Sequence, residues 1–298
     1  MVPVPIFEIF LWLLFILALV DGFRRFGLKN GLLFFLPAFA YGWALEESAI
    51  AIYHRYYYSS NFLLTYLDAP FCIAAGWATI LYLGIILAET LSLSRIKAAL
   101  FVALWGLSID FSMDALAVRF GYWTFTFREY NILPYFNVPV TNFGGWFICL
   151  FMFTYFHLLG RNKRYRNFFL GFDATIPALP LLMLGCFLLI VVPYERIFYS
   201  LSWWQMIIIM PLPVMIALSI WLSKLNPLLN KETRIPLLIT EGFHIFFIIS
   251  ALYVWIATGG WSYMISSSVP LMPLIAYNVR NMVLSHKVQL QMVTTTVQ

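Results

Sequence analysis

Apolar runs broken by short polar stretches occupy almost the whole chain. Those long enough to cross a bilayer, about 17 to 25 residues each, fall near residues 5–21, 33–56, 69–92, 98–118, 139–159, 174–193, 203–222, 236–258 and 261–279, the last being the weakest. The pattern predicts an all-α fold, a polytopic transmembrane helical bundle of about eight or nine spans forming one integral membrane domain over residues 1–298. No soluble domain or low-complexity tract interrupts it.

The polar punctuation gives the bundle a direction. Loops after the odd-numbered segments, with the C-terminal tail, hold fourteen Lys and Arg residues, among them Arg24, Arg25, Lys29, Arg161, Lys163, Arg164 and Arg166. The opposite side holds four, Arg55, Arg119, Arg128 and Arg196. Because cytoplasmic loops carry the excess of basic residues, the N-terminus is expected outside and the C-terminus in the cytoplasm, with the plasma membrane as location. The first segment has no basic residues before it and Arg24 and Arg25 after it, so it is expected to be a retained anchor. Composition agrees with the pattern. With 62% hydrophobic and 10% charged residues and a mean hydropathy of +0.86, the chain falls far below the quarter of charged residues typical of soluble domains. The net charge of +5 then reflects topology and gives no reason to expect a nucleic-acid partner.

An internal repeat emerges from the same runs. Tyr41–Tyr58 aligns with Trp105–Tyr122 at an offset of 64, pairing Tyr41-Gly42 with Trp105-Gly106, Glu46 with Asp110, Ser48 with Ser112, Ala51 with Ala115, Arg55 with Arg119 and Tyr58 with Tyr122. Leu67–Trp77 then aligns with Phe136–Trp146 at an offset of 69, with the same distance from Pro to Gly-Trp. The five additional residues are expected in the loop between the two matches. Units of about 33–92 and 98–159 therefore read as duplicated helix pairs. Topology converts this spacing into depth: Glu46, Glu47, Asp110 and Asp114 share one level in the outer half with Asp68, Trp77, Asn142 and Trp146. The intervening loop, Arg119 to Pro139, carries Tyr122, Trp123, Phe125, Phe127, Tyr130, Tyr135 and Phe136, and is expected to lie at the interface as an aromatic belt.

An ionisable group at bilayer depth costs at least about 2.5–3.5 kcal/mol, so four carboxyl groups at one level are candidate chemistry. Single buried acids are often only hydrogen-bonded structural groups; a set of four is harder to explain that way. Asp110 and Asp114 lie one helical turn apart, and two such groups cannot both ionise cheaply without water. One is expected to hold a proton, which suits a general acid. Trp77, Tyr122, Trp123 and Trp146 offer π-faces able to stabilise a cation, although any one of them could simply anchor the interface. The chain has no G-x-S-x-G, Walker or HExxH motif, and its four His residues, His54, His157, His244 and His286, are scattered over different segments. Cys72, Cys149 and Cys186 sit in apolar segments without CxxC spacing and read as small core residues. No metal site is expected.

At Glu46-Glu47, Pro70 to Trp77, Asp110 to Asp114, Gly121-Tyr122-Trp123 and V-P-V-T-N-F-G-G-W (Val138–Trp146), the chain resembles the membrane carotenoid-biosynthesis hydratases, a family that includes gamma-carotene hydratases and bisanhydrobacterioruberin hydratase. The resemblance covers roughly residues 30 to 285. Ala115 stands where that family has Pro, and Ala69 and Asn137 replace residues of its G-V-P turns. The resemblance implies cofactor-free addition of water to a terminal isopropylidene double bond of a linear carotenoid drawn from the membrane lipid. Asp114 or Asp110 would protonate the alkene, and Glu46 or Glu47 would orient or deprotonate the water. Trp77, Tyr122, Trp123, Asn142, Trp146 and Asp68 would line the substrate.

Three other readings share these residues. A proton-initiated terpene cyclase would capture the same cation with a second double bond. A prenyltransferase would use D-F-S-M-D (Asp110–Asp114) to hold magnesium diphosphate, but needs a second acidic motif and basic residues on the phosphates. A lipid or proton-coupled transporter would use the acids as a relay, usually with broken helices pointing at them from both leaflets.

Overall fold

The computed structural model describes residues 2–126, 134–161, 211–224, 231–277 and 279–280. The expected segment at 174–193 lies outside the described residues, as do Phe127 and Tyr130. The described chain is an all-α bundle with a few very short strands. Its helices are α1 (Val4–Ala51), α2 (Phe71–Thr90), α3 (Arg95–Phe120), α4 (Val140–Gly160), α5 (Pro211–Leu222), α6 (Lys231–Thr258) and α7 (Ser262–Ser268). Five of them, α1 to α4 and the Arg234–Thr258 part of α6, are long and apolar enough to cross a membrane. The weak final segment breaks into α7 and a 3-10 turn at Val269–Leu271.

The first two apolar runs are the two limbs of α1. At 48 residues it exceeds the roughly 20 that one crossing needs, and it bends at Gly27, whose φ of 74° is non-helical and open mainly to glycine. Ring contacts pair rising with falling residue numbers, Trp12 with Phe39 and Phe23 with Phe35, so the limbs fold back on each other antiparallel. Asp21 fastens the bend, accepting from Arg25 Nε at 2.6 Å and from the Tyr82 hydroxyl at 2.5 Å.

Helix α2 runs up the middle, buried continuously from Cys72 to Ala88. The outer helices are buried on one side only. Ile6, Ile9, Leu13, Ile16 and Leu17 of α1, and Ile245, Ile249 and Ile256 of α6, are exposed. Apolar faces of this extent have no place in water and suit hydrocarbon, which identifies a membrane protein.

One end of the bundle is closed by short antiparallel strands. β1 (Tyr56–Tyr58) pairs with β4 (Trp123–Phe125), β2 (Thr65–Tyr66) with β3 (Ala69–Pro70), and β5 (Pro134–Tyr135) with β6 (Val138–Pro139). The two hairpins, β2–β3 and β5–β6, are related residue for residue by the offset of 69. The same offset relates Leu67 to Phe136, both at positive φ, Pro70 to Pro139 as N-caps, and Ala51 to Phe120 as helix ends. The extra residues were expected in the loop. Instead α3 absorbs them by running on from Ala115, the aligned partner of Ala51, to Phe120.

The loop aromatics also depart from expectation. Tyr122, Trp123, Phe125, Tyr135 and Phe136 are all buried and do not form an interfacial belt. The strands turn them inward, where Tyr122 stacks on Phe7 at 4.8 Å, Trp123 meets Tyr58 edge to face and Tyr135 meets Phe143. A membrane-facing position would leave these rings half wet, whereas burial here closes the end of the bundle over the polar groups beneath.

Candidate active site

Asp110 and Asp114 project from α3 toward α4, both buried. Their one-turn spacing brings the two carboxyl groups into direct interaction. Pro139 starts α4 abruptly, so Asn142 falls in its first turn. There the Asn142 amide donates to Asp114 Oδ2 at 2.5 Å and reaches Asp110 Oδ2 at 3.5 Å. Asp110 Oδ1 is buried without a partner among the described residues. The buried Tyr135 ring meets Phe111, the residue after Asp110, at 5.8 Å.

Glu46 approaches from the second limb of α1 and is held quite differently. Its Oε2 accepts from the Tyr56 hydroxyl and, at 2.5 Å, from the Tyr58 hydroxyl, while Oε1 accepts from Trp77 Nε1 at 2.6 Å. Burial first, and the adjacent Glu46 carboxyl second, hold both phenols well above the ordinary tyrosine range, so they remain donors. The Trp77 ring stacks on Trp146 at 4.0 Å and 20°; these are the two tryptophans that the offset of 69 aligns.

A cavity of about 140 Å³ opens between the second limb of α1 and α4. Its wall is apolar along Leu45, Ala49, Trp146 and Cys149, and polar at the strand end, where Arg55 and Thr126 stand. A smaller chamber of about 20 Å³ lies deeper, against Asp114, Met113, Ile73, Tyr58 and Trp123. Glu46, Tyr56, Phe125, Asn142 and Trp146 line both.

Six of the ten residues singled out from sequence meet around these two cavities or immediately behind them: Glu46, Trp77, Asp114, Trp123, Asn142 and Trp146, with Asp110 as a seventh in contact with Asp114. Three stand apart. Glu47, the next residue along the helix from Glu46, accepts the Asp68 backbone N–H at 3.1 Å and lines neither cavity, so this pair holds the β2–β3 turn. Tyr122 donates to the Val2 carbonyl at 3.0 Å and stacks on Phe7, fastening the chain's start.

Sequence reasoning missed Tyr56 and Tyr58. Their spacing of two places both on one face of β1, with Tyr57 exposed on the other. Arg55 at the cavity wall was missed as well, whereas its aligned partner Arg119 is exposed. Glu8 is a further buried acid; it accepts the backbone N–H groups of Leu63 and Leu64 at 2.8 and 3.1 Å and pins the loop above the bundle.

The arrangement is one of acids and donors. Among the described residues no three His, Cys, Asp or Glu side chains are placed to hold a metal ion, and the group facing both aspartates is the N–H donor of Asn142. Comparison with known proteins finds no match among curated proteins or solved structures. A family profile does match, over residues 5–193, a stretch that includes α1 to α4, all six strands and the whole carboxyl cluster. The chain thus belongs to the carotenoid biosynthesis protein family.

Proposed function

We propose that the protein is a carotenoid hydratase, adding water across the terminal isopropylidene double bond of an acyclic carotenoid. The supporting observation is the pair of cavities. The outer one joins an apolar side, fit for a hydrocarbon, to a polar end at Arg55 and Thr126; the inner one meets Asp114. Glu46, Asn142 and Trp146 line both, so a hydrocarbon end and a water held there would meet one carboxyl cluster.

In this reading Asp114 gives its proton to the less substituted alkene carbon. The π bond supplies the electron pair for the new C–H bond, leaving a tertiary cation at its other carbon. Two interacting carboxyl groups that share one charge favour such a donor, and Asp114 is the member that lines the inner cavity. The Trp146 ring, which lines both cavities, offers a π-face to the cation, while the inner chamber of about 20 Å³ has room for about one water. Water then attacks through its oxygen, forming the C–O bond, and gives up a proton to Glu46. A carboxylate has about four acceptor sites. Three are occupied by Tyr56, Tyr58 and Trp77, which leaves one on Oε1 for the attacking water. The proton passes back to the aspartate pair, so the cycle needs no other reactant. The basic-residue asymmetry supports a plasma-membrane orientation with the N-terminus outside and the cluster in the outer half.

The test is to express the protein in cells accumulating lycopene, in medium enriched in H₂¹⁸O, and analyse the pigments by mass spectrometry. The expected product is heavier than its precursor by one water and carries the label. An isomer of unchanged mass would assign the protein to cyclisation instead, and an added prenyl unit to prenyl transfer.

A further inference from the structure

One residue of the outer cavity has no structural reason for its identity. Gly145 lies inside α4 at ordinary helical backbone angles, where glycine is among the poorest helix formers. Two other helical glycines, Gly42 and Gly106, are explained by packing. A side chain at Gly42 would run into Trp77, and one at Gly106 into Leu150. At Gly145 a Cβ would meet nothing within 4 Å among the described residues. Among the described residues neither conformation nor close approach accounts for it. What the missing side chain leaves is space in the cavity, beside Cys149 one turn along α4 and with Ala49 of α1 on the same lining.

Those two neighbours are themselves small, whereas Leu45, Trp77 and Trp146 on the same lining are large, so the cavity between α1 and α4 is widest in side-chain space at Ala49, Gly145 and Cys149. Resting on the reading above, we propose that Gly145 sets the width of the carotenoid's path: the passage between α1 and α4 admits the acyclic hydrocarbon end from the bilayer and directs it toward Asp114. An isopropylidene end is flat about its double bond and thinner than a cyclised end group, whose ring carries bulk on both sides of the chain axis, so a narrow passage would favour the acyclic end.

The full-length protein and its Gly145→Ala and Gly145→Leu variants, expressed in lycopene-accumulating cells, test this. Three quantities are read: lycopene retained per purified protein, fraction of pigment converted, and thermal midpoint. Retention and conversion should fall from Gly to Ala to Leu, by about tenfold or more at Leu, the scale on which a hydrophobic pocket discriminates size. The midpoint should stay level or rise, because a better helix former enters open space. A Leu variant that retains and converts lycopene as the parent does would overturn the proposal. So would a falling midpoint, which would make Gly145 a packing position, or a changed oligomeric state with pigment retention intact, which would make it a contact between copies. A parent protein that retains no lycopene overturns it too. If the parent retains lycopene without hydrating it, the hydratase reading fails while the graded loss of retention still supports the passage.

Discussion

Glu46 and Asp110 occupy aligned positions in the two helix pairs, yet their surroundings differ in kind. Glu46 is met by three donors from β1 and α2. Asp110 and its neighbour Asp114 share a single amide, and one Asp110 oxygen has no partner among the described residues. A carboxyl group met by three donors is held in place with one acceptor site left open, whereas one crowded by another carboxyl is poised to hold and release a proton. Under the proposed mechanism, the same fold of helix, hairpin and helix supports a proton acceptor in one half and a proton donor in the other. The stacked Trp77 and Trp146 mark where the halves meet.

The comparison is most sharply tested through the donor half. Asp114→Asn keeps the side chain's shape and can keep a contact to Asn142, so the fold should survive. Conversion per folded protein should fall by about 10²–10⁴, the contribution typical of a positioned general acid. Glu46→Gln attacks the acceptor half and should show the opposite balance. A glutamine amide would turn a donor toward Trp77 or the tyrosines, and each lost hydrogen bond to a charged group is worth about 1.5–3 kcal/mol. Its thermal midpoint should therefore drop well below that of Asp114→Asn, with lost activity following partly from lost folded protein. Equal midpoints for the two variants would erase the distinction between the halves.

Smaller effects refine the picture. Trp77→Phe removes both the Glu46 donor and part of the Trp146 stack, with about 0.5–1.5 kcal/mol from the ring pair alone, read as a lowered midpoint. The smallest effect concerns pH. Tyr56 and Tyr58 keep their protons in the folded protein above the ordinary tyrosine value of about 10. Between that value and their own, the unfolded chain has lost protons the folded one retains, so stability falls as pH rises there. Below about pH 10 these two groups should leave stability flat, and a pH series of thermal midpoints checks this.

Much of this was legible in the chain. The offset of 69 that aligns Leu67–Trp77 with Phe136–Trp146 also relates the two hairpins, although the alignment itself predicts no strand pairing. The one-turn spacing of Asp110 and Asp114 announced their interaction, because helical geometry brings such positions together wherever the helix goes. Other features needed the tertiary arrangement. Glu46 and Glu47 are adjacent, and only the packing of α1 on α2 decides that Glu46 meets Trp77 while Glu47 meets the Asp68 turn. Tyr56 to Tyr58 shows no polar-apolar contrast, so its strand alternation was invisible. Glu8 acts on residues 55 and 56 positions away, a distance that no local pattern encodes. The aromatic loop misled for a related reason: its composition suits an interface equally well as a lid.

The most direct test of the division between donor and acceptor compares Asp114→Asn with Asp110→Asn, measuring conversion of lycopene per folded protein in the same membranes. Asp114 lines the inner cavity and Asp110 stands behind it, so Asp114→Asn should abolish conversion and Asp110→Asn should reduce it less. Wild-type conversion by Asp114→Asn would contradict the account.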